Sequence, residues 1–218
     1  MPVLDTITQQ TCTLHESPQQ AQIRLAARRG ILDRISEQIQ FPGTLIFQEA
    51  SNEQIIQELL DLKIEIGIIH QVPDSAELIA KPLFKEEFQL VIPKKLLPQK
   101  RNFGKALFSD LAMLPCIGFK QNDEIINKLF VFHNITPKPL RLVRVTSNYS
   151  SIAGMVEAKL GWALIPSYLT VKTEKNWLIP IPSDVLSTHK FFMVYRKEYK
   201  ENPWFRDLLQ EVTACFKN

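Results

Sequence analysis

Cysteine is scarce in this chain, and what there is does not pair. Cys12, Cys116 and Cys215 are odd in number and far apart, so no disulfide framework and no CxxC motif can be drawn. Such thiols suit a reducing cytoplasm. Histidine is equally sparse. His15, His70, His133 and His189 are dispersed, with no HExxH and no Cys/His cluster, so no metal site is expected. No run approaches the roughly 20 apolar residues that span a bilayer. The start, Met1-Pro2-Val3-Leu4-Asp5, lacks the basic and apolar regions of a secretory signal. Charge of one sign is not in excess either. A net +3 over 218 residues, with the basic groups scattered, makes no demand for a nucleic-acid partner. Catalytic signatures are missing as well: no nucleophile elbow, no phosphate loop, no paired carboxylates in a turn. The expectation is a protein that is not an enzyme, with no cofactor, no metal and no membrane contact.

What is present is alternation of strand and helix. Val3 to Glu16 is weakly helical and is broken by Ser17-Pro18, as in the end of a linker helix. Ile23 to Ala27 reads as a buried strand, and Arg28-Arg29-Gly30 turns into a helix carrying Ile31, Leu32, Ile35 and Ile39. Thr44 to Gln48 is a second strand. Ser51-Asn52-Glu53-Gln54 is a capping box for a helix that buries Ile55, Ile56, Leu59 and Leu60. Ile64 to Ile69 is a third strand. This spacing predicts a parallel α/β layer. A second series follows: strand Phe88–Pro93, helix Ser109–Leu114, strand Cys116–Phe119, helix Asp123–His133, strand Leu140–Val145. The short piece Leu178–Ile181 is edge-like. Strand Phe191–Tyr195 and a helix capped by Asn202-Pro203, burying Trp204, Leu208, Val212 and Phe216, are left over.

Two α/β series with a leftover strand and helix predict two Rossmann-like lobes. Residues 1–19 form a linker, 20–84 with 188–218 lobe I, and 85–187 lobe II. The chain crosses between lobes near Leu83–Glu87 and Ser187–Lys190, which makes a hinge and a cleft.

The most informative segment is Thr146 to Pro166: a polar turn, a helix with Ile152, Met155, Val156 and Leu160 on one stripe, Gly161 at the left-handed stop, and a buried strand. From Ser147 onward it resembles the serine, Ala-Gly helix and Leu-Gly-Trp-Ala-Leu-Ile-Pro segment of the effector-binding domain of LysR-type transcriptional regulators. Glu49-Ala50-Ser51, Leu59 to Ile69, and Lys81-Pro82-Leu83-Phe84 followed by Phe88 to Pro93 are similar to further segments of that family. Departures exist. The family's usual glycine falls at Leu62 or Lys63, its Asp is Glu65, and Arg28-Arg29 stands where small hydroxyl residues are common.

The resemblance implies a periplasmic-binding-protein type II-like fold, with two crossover strands and an effector held between the lobes. It implies a homodimer through this domain, with the helix Ile31 to Gln40 as the lobe I contact, and a higher oligomer in the full-length regulator. DNA would be read only by a winged helix-turn-helix that precedes this domain and is not in this chain. A solute-binding protein of a transport system shares the two-lobe fold and is the competing reading. An enzyme on that fold, such as a dehydratase or phosphoribosyl transferase, would need a catalytic constellation that the sequence does not supply.

Ligands of α/β lobes sit beyond the carboxyl ends of parallel strands. That rule selects Arg28 and Arg29, Ser51 and Asn52, His70 and Gln71, Thr146, Ser147 and Asn148, with Phe119 and Lys120 beside them. Each has a plainer reading. Ser51 and Ser147 are helix caps first, Arg28 and Arg29 suit a surface or a dimer contact, His70 suits a structural role, Lys120 suits solvent, and Phe119 and Trp162 suit the core. The guanidinium pair and the hydroxyl and amide groups favour a small anionic metabolite as effector.

Overall fold

The computed structural model describes residues 17–119, 124–135, 140–169, 171, 173–182, 184–186 and 189–217. The predicted linker helix Val3–Glu16 lies outside them. The chain divides into two compact units, one running up to Phe84 and resuming at Lys190, the other Lys85–His189.

The first unit is built on β1 (Gln22–Ala27), α1 (Arg29–Gln38), β2 (Thr44–Glu49), α2 (Asn52–Leu60), β3 (Ile66–Ile69), β4 (Leu78–Lys85), β10 (Lys190–Arg196) and α6 (Pro203–Ala214). Its sheet runs β2-β1-β3-β10-β4. β1 pairs in parallel with β2 and β3, and β10 returns antiparallel to β3 with Phe192 opposite Ile69. Periodicity sets the helix faces. α1 buries Ile31, Leu32 and Ile35, α2 buries Ile55 and Leu59, and α6 buries Phe205, Leu208, Leu209 and Val212. Trp204 and Phe216, predicted inward on α6, are only half-buried, because Phe205 and Leu209 hold the core side of the stripe. The predicted crossover around Lys81-Pro82 is itself the strand β4. It closes one edge of the sheet, where proline's missing N–H costs no ladder bond.

The second unit contains β5 (Phe88–Pro93), α3 (Lys105–Leu111), β6 (Cys116–Phe119), α4 (Glu124–Phe132), β7 (Leu142–Thr146), α5 (Tyr149–Glu157), β8 (Ala163–Pro166) and β9 (Asn176–Pro180). β5 lies between β8 and β9, antiparallel to both, and β6 pairs in parallel with β7. Two backbone bonds join these sheets: Trp162 N–H donates to Pro115 C=O, and Ile117 N–H to Trp162 C=O, both at 2.9 Å. α3 begins and ends earlier than the predicted Ser109–Leu114, because Leu107, Phe108 and Leu111 are its core stripe. Trp162 is fully buried and its indole N–H donates to Leu111 C=O at 3.0 Å, the structural role foreseen for it.

α5 corrects the predicted stop. Gly161 is not left-handed. Lys159 is, at φ 62°, with Lys159 N–H on Val156 C=O and Leu160 N–H on Met155 C=O. This pair of bonds is a Schellman ending. α2 and α4 end the same way, on Leu62 at φ 59° and Asn134 at φ 52°, and no glycine among the described residues is left-handed. Gly161 serves steric closeness instead: a Cβ there would stand 2.8 Å from Pro115 O. Leu160 leaves the predicted stripe and is 42% exposed, because the chain has already turned at Lys159.

Candidate ligand-binding site

β1, β2 and β3 run in parallel, so their carboxyl ends open on one edge of the sheet. Arg28, Asn52 and His70 follow those ends and meet there. Arg28 is the N-cap of α1, with no side-chain cap, so its guanidinium is turned to other partners. Nη2 lies 3.0 Å from His70 Nδ1. A guanidinium has donors only, so Nδ1 is the accepting atom in this contact. The Asn52 amide nitrogen is 2.8 Å from the same Nδ1 and 3.2 Å from Nε2. Asn52 is buried at 8% exposure, with its amide nitrogen against both ring nitrogens of His70.

An aromatic floor supports the cluster. The Arg28 guanidinium lies 5.5 Å from the Phe191 ring centroid and the His70 ring 5.9 Å from it. Phe191 is fully buried and stacks on Phe84 at 4.8 Å. The exposed Arg28 is thus held by a ring face and an imidazole acceptor, at the edge where three strand ends converge. Phe191 escaped the sequence reading. It comes from the other end of the chain, and only the pairing of β10 with β3 brings it here.

The neighbouring residues divide by what they bond. Ser51 makes the predicted capping box: its hydroxyl accepts from Gln54 N–H at 3.3 Å, and Ser51 N–H donates to the Gln54 side chain at 3.0 Å. Glu53, beside it, has its carboxyl held below the usual range, chiefly by its own backbone N–H, then by the Ser51 hydroxyl and the nearby His70. Arg29 turns away along α1 into an ion pair with Asp33 at 3.2 Å, and its side chain is 61% exposed. Gln71 is exposed.

A second group lies in the other unit. β6 and β7 are parallel and place Phe119 opposite Thr146 at their carboxyl ends. Phe119 stacks on Tyr149 at 4.2 Å, and Tyr149 also meets the edge of Phe88 at 6.1 Å. The cap of α5 is Asn148 rather than the expected Ser147: its carbonyl oxygen accepts from Ser151 N–H at 3.0 Å. Thr146 Oγ1 accepts from Asn148 N–H at 3.3 Å, so the threonine hydroxyl shapes the turn while Ser147 is exposed. An amide reaches the third N–H of the helix as a serine does, and the extended backbone at position 148 selects the residue that caps. Lys120 lies outside the described residues. Tyr149, the first residue of α5, was not foreseen; an aromatic at a helix start carries no signal of what it will stack on.

Among the described residues no group of His, Cys, Asp or Glu could hold a metal ion. Cys116 and Cys215 are buried thiols in different units. Among the same residues no helix is long and apolar enough to cross a membrane.

The family model described as the LysR substrate binding domain matches residues 43–216. The chain belongs to that family. The matched family is one of binding domains. Arg28 precedes the matched stretch. No curated protein matches the sequence. Solved structures share the fold. A cysteine mutant of OxyR from Corynebacterium glutamicum is 15% identical, with 92% of this chain and 66% of that one covered and a TM-score of 0.61. The reduced OxyR regulatory domain from Pseudomonas aeruginosa is 14% identical, with 93% and 99% covered and a TM-score of 0.63. The regulatory domain of MetR, a LysR family regulator from N. meningitidis, is 16% identical, with 89% and 93% covered and a TM-score of 0.55. The LysR substrate-binding domain described here thus spans 66% of the longer OxyR chain and nearly all of the isolated regulatory domain.

Proposed function

We propose that this chain is the sensing part of a cytoplasmic LysR-type transcriptional regulator and that its effector is a small organic anion. The observation that carries the reading is the convergence of Arg28, Asn52 and His70 at three parallel strand ends. A guanidinium and a buried amide are paired donors of the kind that recognise carboxylate or phosphate oxygens. In the other unit, the turn Thr146-Ser147-Asn148 and the Phe119–Tyr149 stack offer a surface of their own, suited to a flat or hydroxylated molecule. Binding would act on transcription by favouring one arrangement of the regulator over another, which requires different affinities for the two. DNA would be contacted by a winged helix-turn-helix preceding this domain.

The same regulator would self-associate through this domain. β7 is an edge strand with Leu142 and Val145 exposed at 36% and 43%, and α4 exposes Val131 and Phe132 at 62% and 53%. Apolar exposure of this kind marks contact surfaces. A second copy's α1 and β2, with Phe47 36% exposed, is the proposed counterpart. Ile35, though on α1, is fully buried within its own unit and takes no part.

Thermal denaturation against a library of organic acids and phosphates tests the sensing role. A ligand at about a hundred times its Kd adds about 2.7 kcal/mol of stability by mass action. The stabilisation should vanish in Arg28→Ala and Asn52→Ala. A selective hit unaffected by both substitutions would refute the assignment of the site.

A further inference from the structure

We propose that anion binding at the Arg28–Asn52–His70 cluster places a proton on His70, so that affinity for the anion rises as pH falls. The proposal rests on the anion-sensing role given above and concerns how that site is regulated.

One cationic donor meets the Nδ1 lone pair. Arg28 Nη2 stands 3.0 Å from His70 Nδ1, while the Asn52 amide nitrogen, 2.8 Å from Nδ1 and 3.2 Å from Nε2, lies across the ring and not on that lone pair. While the guanidinium points there, a proton on Nδ1 would set N–H against a cationic N–H. The Arg28 contact therefore opposes a proton on Nδ1. An anion's oxygens seek the same guanidinium, because a charge-assisted bond between opposite charges is stronger than one to a neutral nitrogen. As Arg28 turns to the anion, Nδ1 loses its donor and gains a negative neighbour. Both changes favour the imidazolium. A proton taken from solvent then converts Nδ1 from acceptor to a further donor toward the anion. The balance is one anion and one proton taken up, with no covalent bond to carbon made or broken.

Arg28 and Glu53 are charged neighbours of His70. Arg28, at the start of α1, opposes protonation in the unliganded state, while the Glu53 carboxylate on α2 favours it. Asn52 contributes a neutral amide from α2, and Phe191 an aromatic face from β10. An incoming anion adds its negative charge to that of Glu53 and draws Arg28 away from the ring. By linkage, whatever raises the basicity of His70 on binding must raise anion affinity on acidification by the same factor.

Isothermal titration with sodium sulfate, an anion whose charge is constant over the range, tests this from about pH 8 to about pH 5.5, across the ordinary histidine value of about 6.5. Ionic strength is held constant with chloride. Sulfate affinity should rise by up to about tenfold per pH unit, the limit for one linked proton. At one pH, buffers of different ionisation heat should give different apparent enthalpies, reporting uptake of up to one proton. His70→Gln should bind sulfate with no pH dependence, and Arg28→Gln should not bind it. Arg28-dependent sulfate binding that is flat with pH, or a slope that survives in His70→Gln, would overturn the proton linkage and leave the anion site standing. Failure of wild type to bind sulfate at any pH would overturn the anion site itself. The two-buffer measurement on wild type needs no variant, so a poorly folding substitution does not blunt the test.

Discussion

Exchanging the roles that sequence assigns to Gly161 and Lys159 should have opposite effects on stability. In Gly161→Ala the new Cβ would stand 2.8 Å from Pro115 O and 3.1 Å from both Pro115 C and Ile117 Cγ1. Two of these are backbone atoms and cannot rotate away. Relief must come from parting β8 and β6, which strains the two 2.9 Å bonds between Trp162 and the Pro115–Ile117 strand. Overpacking of this kind costs about 1–3 kcal/mol, and weakening two backbone bonds costs about 1 kcal/mol more. The stiffer unfolded chain offsets about 0.4–1 kcal/mol. The expected net loss is about 1–3 kcal/mol, a fall in Tm of about 3–10 °C for a chain of this size. Lys159→Gly relieves a left-handed conformation that costs an L-residue about 1–2 kcal/mol, less the entropy glycine loses, about 0.5–1 kcal/mol. Lys159 is exposed, so no packing is given up. The expected result is a rise in Tm of about 1–3 °C. Gly154→Ala is the internal control. It lies within α5 with nothing within 4 Å of its Cβ position, and should stabilise by helix propensity alone. Differential scanning calorimetry on the three variants decides the matter. A neutral Gly161→Ala together with a destabilised Lys159→Gly would mean that the helix runs on and stops at the glycine, refuting the reasoning.

Two other outcomes follow from particular side chains. His133 lies among Phe103, Phe108 and Phe132, with ring centroids 4.9, 4.5 and 5.1 Å away, and burial lowers its pKa below the ordinary 6.5. The folded state therefore prefers the neutral ring. That stability is present above the ordinary value and is lost as pH falls through it toward the depressed folded value. Urea midpoints across this range should fall less steeply on acidification in His133→Phe than in wild type, and parallel curves would count against it. Phe132→Asp, on the exposed face of α4, should shift sedimentation toward monomer while leaving Tm within a few degrees; a variant that still sediments as a dimer removes α4 from the interface.

Much of the fold was legible because its signals are local. The strand–helix series from Ile23 to Ile69 rests on period-3.6 stripes and a Ser51–Gln54 box, and both survive in the structure. The loops bearing Arg28, Asn52 and His70 could be chosen by the strand-end rule alone, and Arg28 and Asn52 both lie against His70. Arg29 could not be separated from Arg28 by sequence, because the Asp33 one helical turn on decides its direction. Phe191 and Tyr149 were illegible as site residues, since their places depend on which strands pair and which rings meet. The turn at Lys159 was misread because a glycine two residues later offered a cheaper left-handed position, and packing against Pro115 claimed that glycine for another purpose.

The order of the first sheet also has a consequence for how the protein is made. β10 sits between β3 and β4, yet it is synthesised after the whole of the second unit. On the ribosome, β4 would emerge with no neighbour on its inner side, and Arg28 and His70 would have no Phe191 beneath them. The continuous second unit can be complete while the first is still open. A nascent chain released before Phe191 should therefore carry one folded body and one exposed sheet edge, which makes the last stretch of translation the moment when sensing competence and protection from aggregation arrive together.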